Sequence, residues 1–485
     1  MNPAARVLPD VASFSVDDGF WYAIPEHLKH DLSVGSIVRV PLSGRRVRGW
    51  VLELADDRTG RLKEIAGISG DVPVFDGRLL ESLRWAARHY VAPLSSLVGR
   101  AAPPNLPHNP PSQIGVVAAE PVSSPLAGMA ARSAEGRGMP IGAAVADWHQ
   151  LDWLSDLGMV LNAGRSVLVV AASVAEVEMM CDGAGRLSRS VVAVTGHDDA
   201  SDTGAWEAAQ SPPRIVVGTP KTATWPVASL ALAVVLEEGR RAMKDRQTPT
   251  LHVRDILRTR SRVEGFNLVF LGPTPSVELL AAGAEVVRVG NRAWPLVEVV
   301  DRSDDPPGSG YLSERVVAAI TGMAPAAGSV FVFTHRRAAH SSIRCASCRS
   351  LRVCANCGRR LGKVERCGRC QTVSGPCAEC GAQEFEEMGT IPERLVAELN
   401  RRIGAGTAAV HPADATVTVG TERDLAGLRR VSLAVAADVD GMLLGAGYRT
   451  SEEALRQLAR LATMVGHGRG SRMMVQTSRP DSSLV

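Results

Sequence analysis

The sequence predicts an α/β protein built as a small β-rich module followed by two lobes with parallel sheets, and three observations carry that prediction. Short β-branched runs alternate with helical stretches in two separate series. A stretch rich in Pro, Ser, Gly and Ala parts the first series from what precedes it. Eight of the nine Cys lie between Cys345 and Cys380, inside the second series.

Residues 1–104 form the β-rich module. VRVPL (38–42) and VRGWVLEL (47–54) are alternating runs joined by the turn SGRR, and LLESLRWAARHY (79–90) repeats its apolar residues at helical spacing. From 105 to 140 the chain has little periodicity, which predicts a linker with no fold of its own. SVLVVAA (166–172), SVVAV (190–194), RIVVG (214–218), ALAVVLE (231–237) and LVFLG (268–272) then alternate with helical segments, the pattern of a parallel sheet within 141–300. A second series opens in 301–343 with SVFVF (329–333) and is interrupted by the Cys-rich insert, 344–389. It resumes over 390–485 with TVTVG (416–420), VSLAVAA (431–437) and RMMVQT (472–477).

A chain of 485 residues that is 45% hydrophobic and 22% charged is globular, with length for two to four domains at roughly 100–200 residues each. No run approaches the ~18 apolar residues of a membrane span, and MNPAARVLPDVASF lacks a basic segment before a long apolar one. A cytoplasmic chain, neither membrane-spanning nor secreted, is expected. The net charge of +3 gives no global attraction to a polyanion. Only five of the 54 basic residues are Lys (Lys29, Lys63, Lys221, Lys244 and Lys363), a bias toward Arg that fits a GC-rich coding sequence.

Four CxxC pairs occur: Cys345/Cys348, Cys354/Cys357, Cys367/Cys370 and Cys377/Cys380. Two residues between thiols let both sulfurs of a tight turn face one ion, and Zn²⁺ takes four thiolates at ~2.3 Å in a closed tetrahedron. Eight thiolates make two sites, and a closed site with no open position is structural. Gly358 and Gly381, directly after their pairs, suit turns whose backbone N–H groups point at sulfur. Redox-active CxxC is the competing reading, and four pairs within 36 residues favour zinc. Spacing alone leaves three ways of joining the pairs two by two. Cys181 reads as a small buried apolar residue.

Two α/β lobes raise the question of a nucleotide motor, which needs GxxxxGK[ST] after its first strand to cradle phosphates and hold Mg²⁺. Lys221 sits in GTPKT, where Pro220 replaces the needed Gly and removes an N–H donor. Lys363 follows Gly362 but precedes Val364 inside the Cys-rich insert, and the other three Lys have neither the preceding Gly nor the following hydroxyl. After the strand ALAVV the expected Asp-Glu is Leu236-Glu237-Glu238-Gly239. Glu237 stands where a water-polarising base could stand, although two solvated Glu at a strand end is the preferred reading.

In the order of its parts the chain resembles the primosomal protein N′ (PriA) family of bacterial replication-restart proteins. The likeness rests first on four CxxC pairs after FTHRR (333–337). VRVPLSGRRVRGWV (38–51) and PVFDGRLLESLRWAARHYVAPLSSLVGRAAP (73–103) support it in the first module. VVGTPKTATW (216–225), LHVRD (251–255), LGPTPS (271–276) and QTSRP (476–480) support it in the lobes, so that it covers most of the chain outside the linker.

The resemblance implies an N-terminal, 3′-end-binding-like DNA-binding domain at 1–104, two RecA-like helicase lobes, and a two-zinc, four-thiolate insert in the second lobe. It also implies a nested pairing, Cys345, Cys348, Cys377 and Cys380 around one zinc and Cys354, Cys357, Cys367 and Cys370 around the other. Against the family pattern, the phosphate loop falls near AVADWHQL (144–151), with no Gly and no Lys. The family's Asp-Glu-Glu-His is Leu236-Glu237-Glu238-Gly239, and its Lys-Gly-His-Asp run is Arg423-Asp424-Leu425-Ala426. Of the arginine-finger motif only GHGRG (466–470) remains, with Arg469 as the survivor. Glu237 and Arg469 therefore read as a vestigial nucleotide site, with no catalytic residues and no expected use of ATP. The linker stands in place of the family's winged helix, and the chain stops soon after QTSRP, where the family continues into a C-terminal domain.

Arg39, Arg45, Arg46 and Arg48 flank strands that carry Trp50, with Phe20-Trp21-Tyr22 nearby. Arg on phosphates and aromatic faces on bases is an arrangement for single-stranded DNA. The alternative is that Trp50 and Phe20 are core and the Arg residues a solvated turn; the resemblance favours DNA. The family's Phe-Asp-Tyr is Phe20-Trp21-Tyr22 here, without the Asp that meets a terminal nucleotide, whereas Lys63 in RLKEIAGI matches the family's basic residue. The expected DNA-binding residues are Arg39, Arg45, Arg46, Arg48, Lys63 and Trp21. The expected function is binding of single-stranded or forked DNA at stalled forks and help in primosome assembly, with primosomal and single-strand-binding proteins as partners and no helicase or ATPase activity. One rival is an active ATP-dependent 3′ to 5′ DNA helicase with divergent motifs, which needs a Lys and a metal carboxylate from elsewhere. Another is a zinc chaperone or redox module, whose CxxCxGxG repeats are missing from CASCRS, CANCGR, CGRCQT and CAECGA.

Overall fold

The alternating runs at the start of the chain form one antiparallel sheet: β1 (Ala4–Pro9), β2 (Phe20–Ala23), β3 (Ile37–Leu42), β4 (Arg45–Ala55) and β5 (Gly67–Ile68), ordered β2-β1-β4-β3-β5. The structure is a computed structural model and describes residues 3–482 apart from 57–60, 109–125, 140, 150, 186–189, 289–293, 307–308, 324–329, 336–342, 349, 359–360, 362–364, 368–369, 388–389, 411–414, 429 and 444–446. Lys363 and the two Arg of FTHRR lie outside the described residues. In the β3–β4 hairpin Leu42 pairs with Arg45 across Ser43 (φ 48°) and Gly44 (φ 79°), the left-handed pair that a two-residue turn favours. A bridge from Ala23 to Glu64 carries the chain from one edge of the sheet toward the other. Val7, Tyr22, Val38, Val40 and Val51 fill one face. Leu8, Ile37 and Trp50 turn the other face to α1 (Gly77–His89) and α2 (Leu94–Ala101).

The first lobe has seven parallel strands: β6 (Gly142–Val145), β7 (Ser166–Val170), β8 (Val191–Val194), β9 (Ile215–Gly218), β10 (Leu230–Leu236), β11 (Asn267–Gly272) and β12 (Glu285–Arg288). Their order is β12-β6-β11-β10-β7-β9-β8. Central strands such as β7 and β11 are buried throughout, as a sheet covered on both faces requires. The helices are α3 (Ala127–Ala134), α4 (Leu157–Asn162), α5 (Val174–Gly185), α6 (Asp199–Ala209), α7 (Val253–Glu264) and α8 (Val277–Ala281). From β6 the chain passes to β7 and outward, then returns for β10 and β11, so that the carboxyl ends of β6, β11 and β10 meet at a crevice where the winding reverses.

Two expectations are corrected here. The predicted linker, 105–140, contains α3: Leu126, Met129, Ala130 and Ser133 are buried at helical spacing, and Asn267 Nδ2 donates to Ser133 Oγ at 3.0 Å. Its small Ala and Gly residues hid a short apolar stripe. The border between the lobes also falls earlier than 300, because the first unit ends at Gly290. β13 (Leu296–Asp301) belongs to the second sheet, where it is a largely exposed edge strand that carries Glu298 and Asp301.

The N-terminal module and the first lobe share one apolar core that includes Leu83, Leu97, Trp206 and Ile256. α1 begins where Asp76 accepts from the Leu79 N–H at 2.8 Å and ends with Arg88 and His89 in its last turn, matching the helix dipole. Just beyond it the Tyr90 hydroxyl donates to Asp255 Oδ2 and accepts from the His252 N–H, both at 3.0 Å.

The second unit continues from β13 through α9 (Glu314–Met323) and β14 (Val330–Phe333) to the insert, whose base is the antiparallel pair β15 (Ile343–Cys345) and β16 (Phe385–Glu387). It then adds α10 (Pro392–Ile403), β17 (Ala408–Val410), β18 (Val417–Gly420), β19 (Leu433–Ala436), α11 (Val439–Leu443), α12 (Thr450–Thr463) and β20 (Arg472–Thr477). The parallel sheet runs β13-β20-β19-β14-β18-β17. Among the described residues no helix is long and apolar enough to cross a membrane.

Candidate metal centre, DNA-binding face and nucleotide crevice

The insert gathers its eight thiols into two clusters: Cys345, Cys348, Cys377 and Cys380 in one, and Cys354, Cys357, Cys367 and Cys370 in the other. The four Sγ atoms of each lie within 4.8 Å of one another. Sulfurs are 3.5 Å apart in Cys345–Cys380, Cys348–Cys377 and Cys354–Cys370, and 3.6 Å apart in Cys357–Cys367. Ligands ~2.3 Å from a tetrahedral metal stand ~3.8 Å from each other, against ~2.05 Å in a disulfide. The spacing fits four sulfurs around an ion, with the pairs nested rather than joined to their neighbours in sequence.

Local backbone sets this geometry. The N–H groups of Cys345 and Cys367 donate to the carbonyls of Ser350 and Thr372, both at 2.9 Å, and that of Cys377 to Ala382 at 2.8 Å. The residue after the second Cys is left-handed at Gly358 (φ 67°), Gly381 (φ 74°) and Gln371 (φ 59°), the last without a glycine's freedom. Hydroxyls complete the sites: Ser350 Oγ lies 3.0 Å from Cys348 Sγ and 3.1 Å from Cys377 Sγ, and Thr372 Oγ1 lies 3.2 Å from Cys370 Sγ. The Thr372 hydroxyl brings the Cys370 thiol down to about 5, and Ser350 brings Cys377 down to about 6. Cys181 is half-buried, and burial pushes its thiol up to about 11.

On the N-terminal sheet, Arg39 pairs directly with Arg48, and Arg46 with Pro41. The pleat puts Arg39, Arg46 and Arg48 on one face and Arg45 on the other. Two guanidinium groups directly opposite repel each other. Burial first, and then Arg39, hold Arg48 below its ordinary value, with Asp10 opposing. Trp50 is core, 1% exposed, with the Arg48 guanidinium 5.6 Å from its ring centre. Phe20, by contrast, is exposed. Trp21 and the exposed Lys63 lie elsewhere, at edge strand β2, where Trp21 pairs with Arg6 and the Ala23 N–H donates to the Lys63 carbonyl at 2.9 Å.

The crevice of the first lobe corrects the reading of Glu237 and Glu238 as solvated: each is 2% exposed. Trp148, from the AVADWHQL run after β6, donates its indole N–H to Glu237 Oε1 at 2.6 Å, and its ring stacks on His149 at 3.9 Å. Glu238 Oε1 accepts from the Ser276 N–H at 2.8 Å, with Arg254 3.5 Å away. The free space bounded by Val145, Glu237, Gly272 and Thr274 is about 10 Å³, at the lower limit for one water molecule. Lys221 is on a short 3₁₀ turn, paired with Asp202. In the second lobe Asp424 accepts from the Thr421 N–H at 2.8 Å, and Glu422 binds Arg456 through both oxygens (2.7 and 3.0 Å) and Arg460 at 3.1 Å. Arg423 and Arg469 are exposed.

Trp148, Ser350 and Thr372 were not among the site residues that the sequence suggested. The hydroxyls have a visible signal, the equal spacing Cys348-x-Ser350 and Cys370-x-Thr372. Trp148 has none, because its partner is 89 residues away.

The family model for the 3′ DNA-binding domain (3′BD) of PriA matches residues 6–103. The probable replication restart protein PriA of Mycobacterium tuberculosis (strain CDC 1551 / Oshkosh) is 26% identical over 451 residues, covering 83% of this chain and 67% of that protein. The corresponding protein of Deinococcus radiodurans is 27% identical over 370 residues, covering 66% and 39%. Among solved structures, the Escherichia coli DEAH/RHA helicase HrpB (12% identity, TM-score 0.37, 74% of this chain and 43% of that one) and S. cerevisiae Dbp5 bound to RNA and ADP BeF3 (10% identity, TM-score 0.36, 70% and 78%) are too distant to carry an inference. The likeness to replication restart proteins PriA thus extends over 83% of the chain, and the model of the PriA 3′ DNA-binding domain matches independently at its start.

Proposed function

We propose that this chain is a DNA-binding scaffold for replication restart that holds two zinc ions and does not hydrolyse ATP. The observation that carries the reading is the Trp148–Glu237 contact in the crevice of the first lobe, where Trp148 lies in the turn after β6. Phosphoryl transfer is catalysed almost wholly by positioning and charge. Here the Gly cradle, the Lys and the metal carboxylate are replaced by an indole, an apolar Leu236 and a filled space. Lys221, the one residue in a phosphate-loop-like string, is held by Asp202.

The residues that would hold zinc are the two nested Cys sets, whose all-sulfur, closed geometry fits a metal that ties loops together. DNA would meet the N-terminal sheet, with Arg39, Arg46 and Arg48 on phosphates and Lys63, Trp21 and Phe20 at the β2 edge. Stalled forks are the proposed target, and primosomal and single-strand-binding proteins the proposed partners, by likeness to the family.

The test is DNA binding by fluorescence anisotropy across a salt series with forked and single-stranded probes. Replacing Arg39, Arg46 and Arg48 together by Ala should lower affinity and reduce the salt slope by about 2, at ~0.7 per phosphate contact on a single strand. ATP should leave both chains' curves in place. An unchanged slope in the triple variant would move the DNA site elsewhere.

A further inference from the structure

We propose that Ser350 and Thr372 are positioning residues of the two metal clusters, each donating its hydroxyl proton to a ligand sulfur and thereby setting how firmly the metal is held. The inference rests on the zinc reading above.

A metal-bound thiolate only accepts hydrogen bonds, so a hydroxyl beside it must donate. Ser350 Oγ reaches Cys348 Sγ at 3.0 Å and Cys377 Sγ at 3.1 Å, sulfurs from two different CxxC pairs, and so ties the halves of the outer cluster together. Thr372 Oγ1 reaches Cys370 Sγ at 3.2 Å in the inner cluster. The same backbone device places both: Cys345 N–H on the Ser350 carbonyl and Cys367 N–H on the Thr372 carbonyl, each at 2.9 Å. At the matching position after Cys357 and Cys380 stand Arg359 and Ala382, which have no hydroxyl. Each cluster therefore combines one CxxC pair that carries this hydroxyl with one that does not. Both hydroxyl residues are half-buried. Partners of this kind typically change metal affinity by 10- to 100-fold.

The experiment uses the full zinc-loaded chain: zinc is counted, then its release to EDTA is followed. Ser350→Ala should release one of two equivalents at least ~10-fold faster than the wild type with the second unchanged, and Thr372→Val should do the same to the other equivalent. Ser350→Thr and Thr372→Ser, which keep the hydroxyl, should behave as wild type. A wild-type chain that purifies without two equivalents sinks the zinc reading itself. Two equivalents, with Ser350→Ala and Thr372→Val both releasing at the wild-type rate, overturn only the present proposal. If neither of those variants folds, the hydroxyl-keeping pair decides: folded chains with two zinc ions support the proposal, and their failure overturns it in favour of packing alone.

Discussion

The Trp148 indole N–H donates to Glu237 Oε1 at 2.6 Å and joins the turn after β6 to the end of β10. Both residues are almost fully buried, and Glu237 adopts a left-handed backbone (φ 48°) uncommon for a residue with a side chain. A carboxyl that a motor would keep for a water molecule is here bound within the fold.

That contact predicts a stability effect with no gain of nucleotide chemistry. Trp148→Phe keeps most of the ring and removes the donor, so it should cost about 1–3 kcal/mol. Trp148→Ala should cost about 3–5 kcal/mol through the cavity it leaves. Urea unfolding followed by circular dichroism measures both, and a Trp148→Phe chain as stable as wild type would show that the hydrogen bond contributes nothing.

Tyr90 predicts alkaline sensitivity of the docking between the N-terminal module and the first lobe. Burial raises its phenol above the ordinary value of 10.0, the His252 N–H opposes this, and the charge of Asp255 adds to it. The fold thus favours the neutral phenol, so the stability it contributes is complete below about pH 10 and is lost as pH rises further. Melting temperatures measured from pH 8 to 11 should fall above pH ~10 in the wild type and less steeply in Tyr90→Phe. Parallel curves would remove Tyr90 from this role.

Gln371 stands in a left-handed position that Gly358 and Gly381 fill in two other CxxC turns. A side chain there costs roughly 1–2 kcal/mol, partly offset by the flexibility that a glycine adds to the unfolded chain. Gln371→Gly should therefore stabilise the zinc-loaded chain by about 0.5–1 kcal/mol, read as a higher melting temperature. A lower one would mean that the Gln371 side chain makes a compensating contact.

The parts legible in the sequence are those encoded by local pattern. β7, β10 and β11 are apolar runs because both their faces are covered, and the hairpin of β3 and β4 is announced by alternation around Ser43-Gly44. CxxC spacing reveals the ligands but not their pairing, since the nested arrangement depends on how the insert closes through Cys345 and Phe385. Glu237 and Glu238 look like solvated strand-end residues because nothing near them in sequence names Trp148, Ser276 or Arg254 as partners. α3 escapes notice for a different reason: its buried stripe is made of Leu126, Met129, Ala130 and Ser133, with too little apolar bulk to stand out from Gly- and Pro-rich flanks.

Steady-state ATP turnover by the full zinc-loaded chain, measured with and without forked DNA, is the most direct test of the proposed scaffold role. A sequence without a GxxxxGK[ST] string and the Trp148–Glu237 contact predict no turnover above the protein-free baseline in either condition. DNA-stimulated turnover that disappears in Lys221→Ala would contradict this, and would restore Lys221 as a phosphate ligand and the chain as a working helicase.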